Sequence, residues 1–124
     1  MKKTDREIVR QKFGGRCAYC GEHLQAKWHV DHLLPIVRDN WLHQGAAPIH
    51  GHRDVIEHMM PACPPCNIDK RSLTLEDWRG IISRSGSVLE RDSATFRRAM
   101  RYGLVAVNAP KIVFHFESVG EVTE

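Results

Sequence analysis

Four cysteines, all that the chain contains, form two Cys-x-x-Cys pairs separated by 42 residues. The pairs are Cys17/Cys20 and Cys63/Cys66. Two thiolates on one tight turn can reach the same ion, and two such turns complete a tetrahedral shell, so the pattern predicts a structural zinc site. The distance between the pairs exceeds the common zinc-ribbon spacing. It therefore indicates an insert, which holds most of the histidines.

Length and composition narrow the class of protein. A chain of 124 residues is long enough for one small domain, whose limited core would gain folding free energy from a bound metal. The first 24 residues contain no long apolar run, which argues against a signal peptide or a membrane span. We therefore expect a cytoplasmic protein with reduced thiols, two disulfides being the alternative for an exported chain.

The charge is compatible with a nucleic-acid partner without requiring one. The formal net charge is +3, and many soluble proteins are as basic. Residues 1–74 carry 11 Lys/Arg against 8 Asp/Glu, whereas residues 75–124 carry 7 of each, so the half with the cysteines is the basic half of the sequence.

Turn residues and hydrophobic periodicity predict a mixed succession of elements. The first half has a helix from the capping box Thr4–Glu7 to Gly14, a strand over Trp28–Leu34 ended by Pro35, a loop over residues 39–53 and a second strand or extended segment over Asp54–Met60. Two helices follow, one from Pro64 or Pro65 and one from Thr74 that buries Trp78. The last elements are a helix from the capping box Ser87–Glu90 to Gly103 and a half-buried strand over Ile112–Glu117.

Residues in and just after the insert suit phosphodiester hydrolysis. Asp31 offers a hard oxygen ligand for Mg²⁺, His32 is a candidate proton acceptor, and Asn67 offers a neutral oxygen ligand. Lys70 and Arg71 follow about one helical turn after Asn67, where they would meet a phosphate. A metal offsets charge on the phosphate while a base makes hydroxide from water, so the set predicts a nuclease centre.

Simpler interpretations of these residues exist. Adjacent residues on a regular strand point to opposite faces, so Asp31 and His32 share one site only at a strand end or a bulge. An Asp-His pair alone is most often a surface or turn feature, and an Asn after a cysteine pair is often only a helix-start residue. Their combination within one predicted zinc site favours the nuclease hypothesis.

Residues 17–75 resemble an HNH endonuclease. The similarity lies in the strings Cys17-x-x-Cys20-Gly21, Val30-Asp31-His32-Leu33-Leu34-Pro35 and Met60-Pro61-Ala62-Cys63-Pro64-Pro65-Cys66-Asn67-x-x-Lys70. A softer similarity to small bacteriophage and prophage members extends over Leu73–Glu76, Phe96–Ala99 and Val113–Glu117. The resemblance implies an α+β fold in a single domain, 1–124. It would have a zinc-stapled ββα-metal (His-Me finger) core at 17–75 and a helical extension with a C-terminal strand at 76–124.

The resemblance also implies a metal-dependent DNA endonuclease of low sequence specificity. His32 would be the general base, and Asp31 and Asn67 would hold one divalent ion, Mg²⁺ or Mn²⁺, apart from the structural Zn²⁺. His58 stands where relatives have an Asn that braces the loop and orients the base, so it would brace the loop or ligate the metal. The implied partners are DNA and phage terminase or other packaging proteins, in the cytoplasm of a bacterial host.

Several other residues keep two interpretations. His29 lies on the same predicted strand face as Asp31 and is either structural or part of the site, and His23 is a weaker alternative zinc ligand. The simplest interpretation of two further sets is that they are exposed to solvent. The loop histidines His43, His50 and His52 have DNA contact or ligation of an extra metal as the alternative, and a helical stripe of Arg91, Arg97, Arg98 and Arg101 has phosphate contact as the alternative.

A second hypothesis stays open beside the nuclease. A non-catalytic zinc module that binds nucleic acid or protein would need the four cysteines and a basic surface as well. Only the nuclease requires Asp31, His32 and Asn67 to act together.

Overall fold

The computed structural model describes residues 1–33 and 55–120. The elements in chain order are α1 (Lys3–Gln11), β1 (His29–His32), a 3-10 turn (Ile56–His58), β2 (Met59–Ala62), α2 (Pro64–Lys70), α3 (Leu75–Ser83), α4 (Ser85–Asp92), α5 (Ala94–Arg101) and α6 (His115–Gly120). This mixture of helices and a small two-stranded sheet agrees with the predicted fold class. The predicted loop over residues 39–53 and its histidines lie outside the described residues.

Strands β1 and β2 pair antiparallel, with His29 opposite Ala62 and His32 opposite Met59. The second strand begins later than predicted, because residues 56–58 form a 3-10 turn whose backbone N–H at His58 donates to the Val55 carbonyl. Pro61 lies inside β2. A two-stranded sheet consists of edge strands, where the missing N–H of a proline is tolerated.

Helix α1 begins one residue before the predicted capping box. Lys2 is the N-cap and makes no side-chain capping bond, so Thr4 lies inside the first turn and does not cap the helix. The predicted stop is confirmed, because Gly14 and Gly15 have φ values of +63° and +80°. These left-handed conformations favour glycine.

Helix α2 starts where the sequence predicted. Cys63 is its N-cap, with extended backbone, and proline occupies its first positions. Proline is favoured there because the first helical N–H groups lack intrahelical partners. The cysteine pair Cys63/Cys66 therefore lies at the start and in the first turn of α2, directly after β2.

The predicted long helix from Ser87 to Gly103 is wrong, because the chain forms α4 and α5 with a break at Ser93. Ser93 has extended backbone, and its hydroxyl accepts from the N–H of Phe96 at 3.1 Å, which makes Ser93 the N-cap of α5. A serine that bonds a nearby N–H in this way favours a helix start over a helix interior. Ser87, the predicted cap, lies inside α4.

The predicted C-terminal strand is also wrong. Residues 115–120 form α6, and the Glu117 carboxylate accepts from the N–H of Phe114 at 2.9 Å, which favours a helix start. The apolar alternation instead brings Phe114 and Phe116 against Tyr19, with ring centroids 5.8 and 6.1 Å from that ring in edge contacts. An aromatic pair two residues apart satisfies this packing without strand pairing.

The chain divides into two compact units, Met1–Leu75 with Val113–Glu124 and Glu76–Ile112. The predicted core at 17–75 and extension at 76–124 stay predictions, and residues 113–120 lie in the unit that contains the cysteines. Whether the two units form one domain stays a prediction. Within residues 1–33 and 55–120, none of the helices combines the length and apolarity needed to cross a membrane.

Candidate metal centre and active-site cleft

The four cysteine sulfurs converge at one point. Their Sγ atoms all lie within 4.8 Å of one another, and those of Cys20 and Cys63 are 3.8 Å apart. Zinc–sulfur bonds of ~2.3 Å at tetrahedral angles separate neighbouring sulfurs by about 3.8 Å, so the arrangement fits a tetrahedral ion. Gly21 makes the tight turn after Cys20 with a φ of +81°. The cysteines are therefore positioned to bind a metal.

The four thiols are close enough to change one another's protonation. A hydrogen bond from the Cys66 thiol lowers the pKa of Cys17 to about 4, and the same bond raises the pKa of Cys66. Burial raises the pKa of Cys20 to about 11. Cys17 thus ionises more readily than Cys20 and Cys66, and a bound divalent ion would displace the protons of those two thiols.

The turn that carries Cys17 and Cys20 is anchored to the sheet. The N–H of Ala18 donates to the carbonyl of Pro61 in β2 at 2.8 Å, and Cys17 and Ala18 are fully buried. Backbone N–H groups of the C-terminal segment then donate to this turn, His115 to Tyr19 at 3.0 Å and Phe116 to Ala18 at 2.7 Å. The metal centre is consequently continuous with the hydrophobic core of the first unit.

One face of β1 packs against α2. His29 and Asp31 are two residues apart on the strand, and Asn67 and Lys70 are three apart on the helix. The Asn67 amide donates to Nδ1 of His29 at 2.8 Å, and the Lys70 ammonium lies 3.1 Å from Oδ2 of Asp31. Asp31 and Asn67 thus face the same helix–strand interface, but each contacts a different partner.

Lys70, Asp31 and Tyr19 form a buried ionic cluster. The Lys70 side chain is fully buried and also donates to the carbonyl of His32 at 3.1 Å, while the Tyr19 hydroxyl donates to Oδ2 of Asp31 at 2.5 Å. Burial, together with the Asp31 charge, raises the pKa of Tyr19, which keeps the hydroxyl as a donor. The predicted phosphate contact of Lys70 does not hold in this structure, because its ammonium is enclosed.

The opposite face of β1 borders a cleft of about 780 Å³. Val30 and His32 line it together with Met59 of β2 and Arg6 of α1. The Arg6 guanidinium carbon lies 4.0 Å over the Trp28 ring, and Nη2 donates to the Trp28 carbonyl at 2.6 Å. These two contacts fix the Arg6 guanidinium in the cleft that the half-buried His32 also lines.

The 3-10 turn beside this cleft is fixed by a lysine that sequence reasoning did not identify. The Lys12 ammonium donates to the carbonyls of Ile56 and Met59, each at 2.6 Å. The His58 carbonyl accepts from the N–H of Leu33 at 2.9 Å, directly after β1. Among the described residues the His58 ring makes no hydrogen bond. The bond between His58 and Leu33 uses the backbone carbonyl of His58, which any residue type has.

The structure does not bring the predicted metal ligand Asp31 and the predicted base His32 to the same face of β1. The two side chains lie on opposite faces of a regular strand, as the alternation rule requires. A nearby ammonium also opposes a second cation at the Asp31 carboxylate, because like charges repel strongly at low solvent exposure. Asp31 and Asn67 have hard donor atoms suitable for Mg²⁺, but the structure uses them to join β1 and α2.

Sequence reasoning missed Arg6, Lys12 and Tyr19. Tyr19 lies within the first cysteine pair, and its position next to a buried turn was the available indication. Arg6 and Lys12 belong to a helix whose ends were predicted, but their partners are 22 and at least 44 residues away in the sequence. No local pattern predicts such contacts.

Lys70 and Arg71 should differ sharply in their contribution to stability. We expect Lys70→Met to lower the free energy of unfolding by about 3 kcal/mol, because it leaves a buried carboxylate without its cation. Arg71→Met is the matched control: Arg71 is exposed, and its side chain has no bonding partner among the described residues. Urea unfolding of the two variants measures the difference. Equal stabilities would contradict the structural role of Lys70.

Comparison with known families agrees with the geometry. Residues 17–73 match the family model of the HNH endonucleases, and this range contains both cysteine pairs, β1, β2 and α2. No curated protein and no solved structure matches the chain. Residues 17–73 therefore form an HNH endonuclease domain.

Proposed function

We propose that this protein is a metal-dependent endonuclease that hydrolyses phosphodiester bonds of DNA, with His32 as the general base. The observation that carries the proposal is the position of His32 within the HNH match, in a cleft that also holds an immobilised arginine. A base and a cation in one cleft are suited to attack on a phosphate.

The proposed reaction assigns separate tasks to the two side chains. The His32 imidazole accepts a proton from water as the water oxygen forms its bond to phosphorus. The bond from phosphorus to the leaving oxygen breaks, and that oxygen takes up a proton from solvent water. The Arg6 guanidinium offsets the charge that grows on the non-bridging oxygens, and its contacts with Trp28 limit the reorganisation that this requires.

The metals are proposed in two roles. Zn²⁺ on Cys17, Cys20, Cys63 and Cys66 would be structural. A divalent ion, Mg²⁺ or Mn²⁺, would neutralise phosphate charge, and Asp31 and Asn67 stay its predicted ligands from the family resemblance. In the structure Asp31 contacts Lys70 and Asn67 contacts His29, so binding of that ion would require both side chains to exchange partners. Arg71, which is exposed directly after α2, stays a predicted phosphate contact.

A second candidate function is a non-catalytic module that binds nucleic acid. It is favoured by the separation of Asp31 from His32 and by the Lys70 ammonium on Asp31. Such a module would bind DNA without cutting it at any metal concentration. Low sequence specificity, a phage origin and packaging partners stay predictions that rest on the family resemblance.

His32→Ala should abolish most cutting without unfolding the protein. We expect plasmid nicking with Mg²⁺ or Mn²⁺ to fall by ~100-fold or more, the usual contribution of a general base. His23→Ala is the control, since His23 is an exposed histidine whose ring makes no bond among the described residues. Normal nicking by folded His32→Ala protein would refute the assignment. Absence of nicking by the unmodified protein at any metal concentration would support the binding module.

Replacing Lys12 should lower the nicking rate more than replacing His58. We expect Lys12→Met to lower the nicking rate about 10-fold at saturating DNA, because the turn opposite His32 loses both of its side-chain bonds. Lys3→Met, on the exposed side of the same helix, removes the same charge as a control.

His58→Ala should have the smaller effect on rate, because its backbone bond to Leu33 is retained. The Mg²⁺ concentration for half-maximal cutting distinguishes the two remaining roles of the ring. A large rise in that concentration would identify His58 as a metal ligand. A larger rate loss in His58→Ala than in Lys12→Met would show that the ring braces the loop.

Replacing one cysteine should cause the protein to lose the metal and to become less stable. We expect one zinc ion per chain, and we expect Cys63→Ser to lose it with a lower melting temperature, because the ion joins the first turn of α2 to the turn at Cys17. Metal analysis and thermal unfolding of the purified variant measure both effects. Freshly purified, folded protein without zinc would contradict this assignment.

A further inference from the structure

The net positive charge of the chain belongs entirely to the unit that lies outside the HNH match. Residues 76–112 contain seven Lys/Arg and four Asp/Glu, which leaves eleven of each kind in the rest of the chain. The larger unit is therefore formally neutral, although the sequence had suggested that the cysteine-containing half is the basic one. The acidic residues of the C-terminal segment, Glu117, Glu121 and Glu124, account for the change.

Helix α5 concentrates this charge on one face. Its eight residues include Arg97, Arg98 and Arg101 and no acidic residue. At 3.6 residues per turn the three arginines fall within an arc of about 100°, whereas Phe96 and Met100 lie outside that arc. All three arginines are exposed, while Phe96 and Met100 are half-buried. The apolar side of α5 is thus partly covered, and its basic side faces solvent.

Two of these guanidinium groups have no bonding partner within residues 1–33 and 55–120. Arg79 and Arg91 of the same unit bind the carboxylates of Glu76 and Asp92, at 3.0 and 2.7 Å. Arg97 donates to the backbone carbonyls that end α4. Arg98 and Arg101, by contrast, have neither a carboxylate nor a carbonyl partner among the described residues, and Cβ atoms three positions apart on a helix are about 5–6 Å apart.

We infer that the basic face of α5, formed by Arg98 and Arg101, binds the phosphate backbone of duplex DNA as an anchor outside the HNH domain. Each strand of duplex DNA carries one phosphate for every ~3.4 Å of helix axis, so neighbouring phosphates are within reach of two adjacent guanidinium groups. The contact would supply affinity without sequence readout, since phosphates position a protein and do not identify bases. The choice of DNA as the polyanion rests on the proposed function.

Binding without cutting tests this surface separately from the active site. The affinity of wild-type and R98Q/R101Q protein for a labelled duplex is measured by anisotropy over a series of salt concentrations, with no divalent ion added. We expect ~10-fold weaker binding for the variant and a slope of log K against log salt that is smaller by about 2. The single variants R98Q and R101Q should each lower the slope by about 1, which keeps the test valid if the double variant folds poorly.

K2Q/K3Q is the matched control, because it removes two exposed charges from the larger unit. It should change the affinity and the slope much less than R98Q/R101Q. Equal effects would show a response to net charge alone and would overturn the inference, as would unchanged binding by R98Q/R101Q. If the wild-type protein binds through α5 but never nicks DNA, the proposed function fails and the anchor stands. If the wild-type protein nicks DNA and R98Q/R101Q binds normally, the proposed function stands and the anchor fails.

Discussion

The convergence of four sulfur atoms within 4.8 Å is the constraint on which the larger unit depends. It fixes the turn at Cys17 to the first turn of α2, although 42 residues separate the pairs in the sequence. From that turn, backbone bonds reach β2 on one side and the C-terminal segment on the other. Loss of the metal would therefore release strand, helix and C-terminal segment together, because each is held through the same few residues.

The buried ammonium of Lys70 is the second organising interaction. It binds the side chain of Asp31 and the carbonyl of His32, so it joins α2 to consecutive residues of β1. A buried charge of this kind is costly unless it is fully paired, and the Tyr19 hydroxyl completes the pairing at the carboxylate. The cluster therefore locks the strand that presents His32. It also occupies the carboxylate that the family resemblance assigns to a catalytic ion.

The two faces of β1 consequently have different roles, one structural and one toward the cleft. The face toward α2 carries structural polar contacts, and the opposite face presents His32 to a cleft with Arg6. Lys12 stabilises the far wall of that cleft through two backbone carbonyls. Burial lowers the pKa of Lys12, and the Glu57 charge counteracts this, so the lysine holds the turn at an electrostatic cost. A nuclease built this way would orient its base through Lys70, Asp31 and Tyr19 inside the HNH match together with Arg6 and Lys12 outside it.

The sequence by itself determined the metal-binding cysteines, the HNH match, the start of α2 and the glycine stops after α1, because tight turns and helix starts depend on neighbouring residues. Only the tertiary structure decided the rest. The alternation at Phe114 and Phe116 predicted a strand, yet packing on Tyr19 made it a segment leading into a helix. Lys70 and Arg71 looked alike in sequence, but one is enclosed and the other exposed. Lys70 ends α2 with its ammonium against Asp31, whereas Arg71 is the C-cap, where the chain leaves the helix with a φ of +52°. Likewise, the excess positive charge could be assigned to residues 76–112 only because the C-terminal segment with its acidic residues belongs to the larger unit. Charged groups interact through space, so their order in the sequence does not show which of them act together.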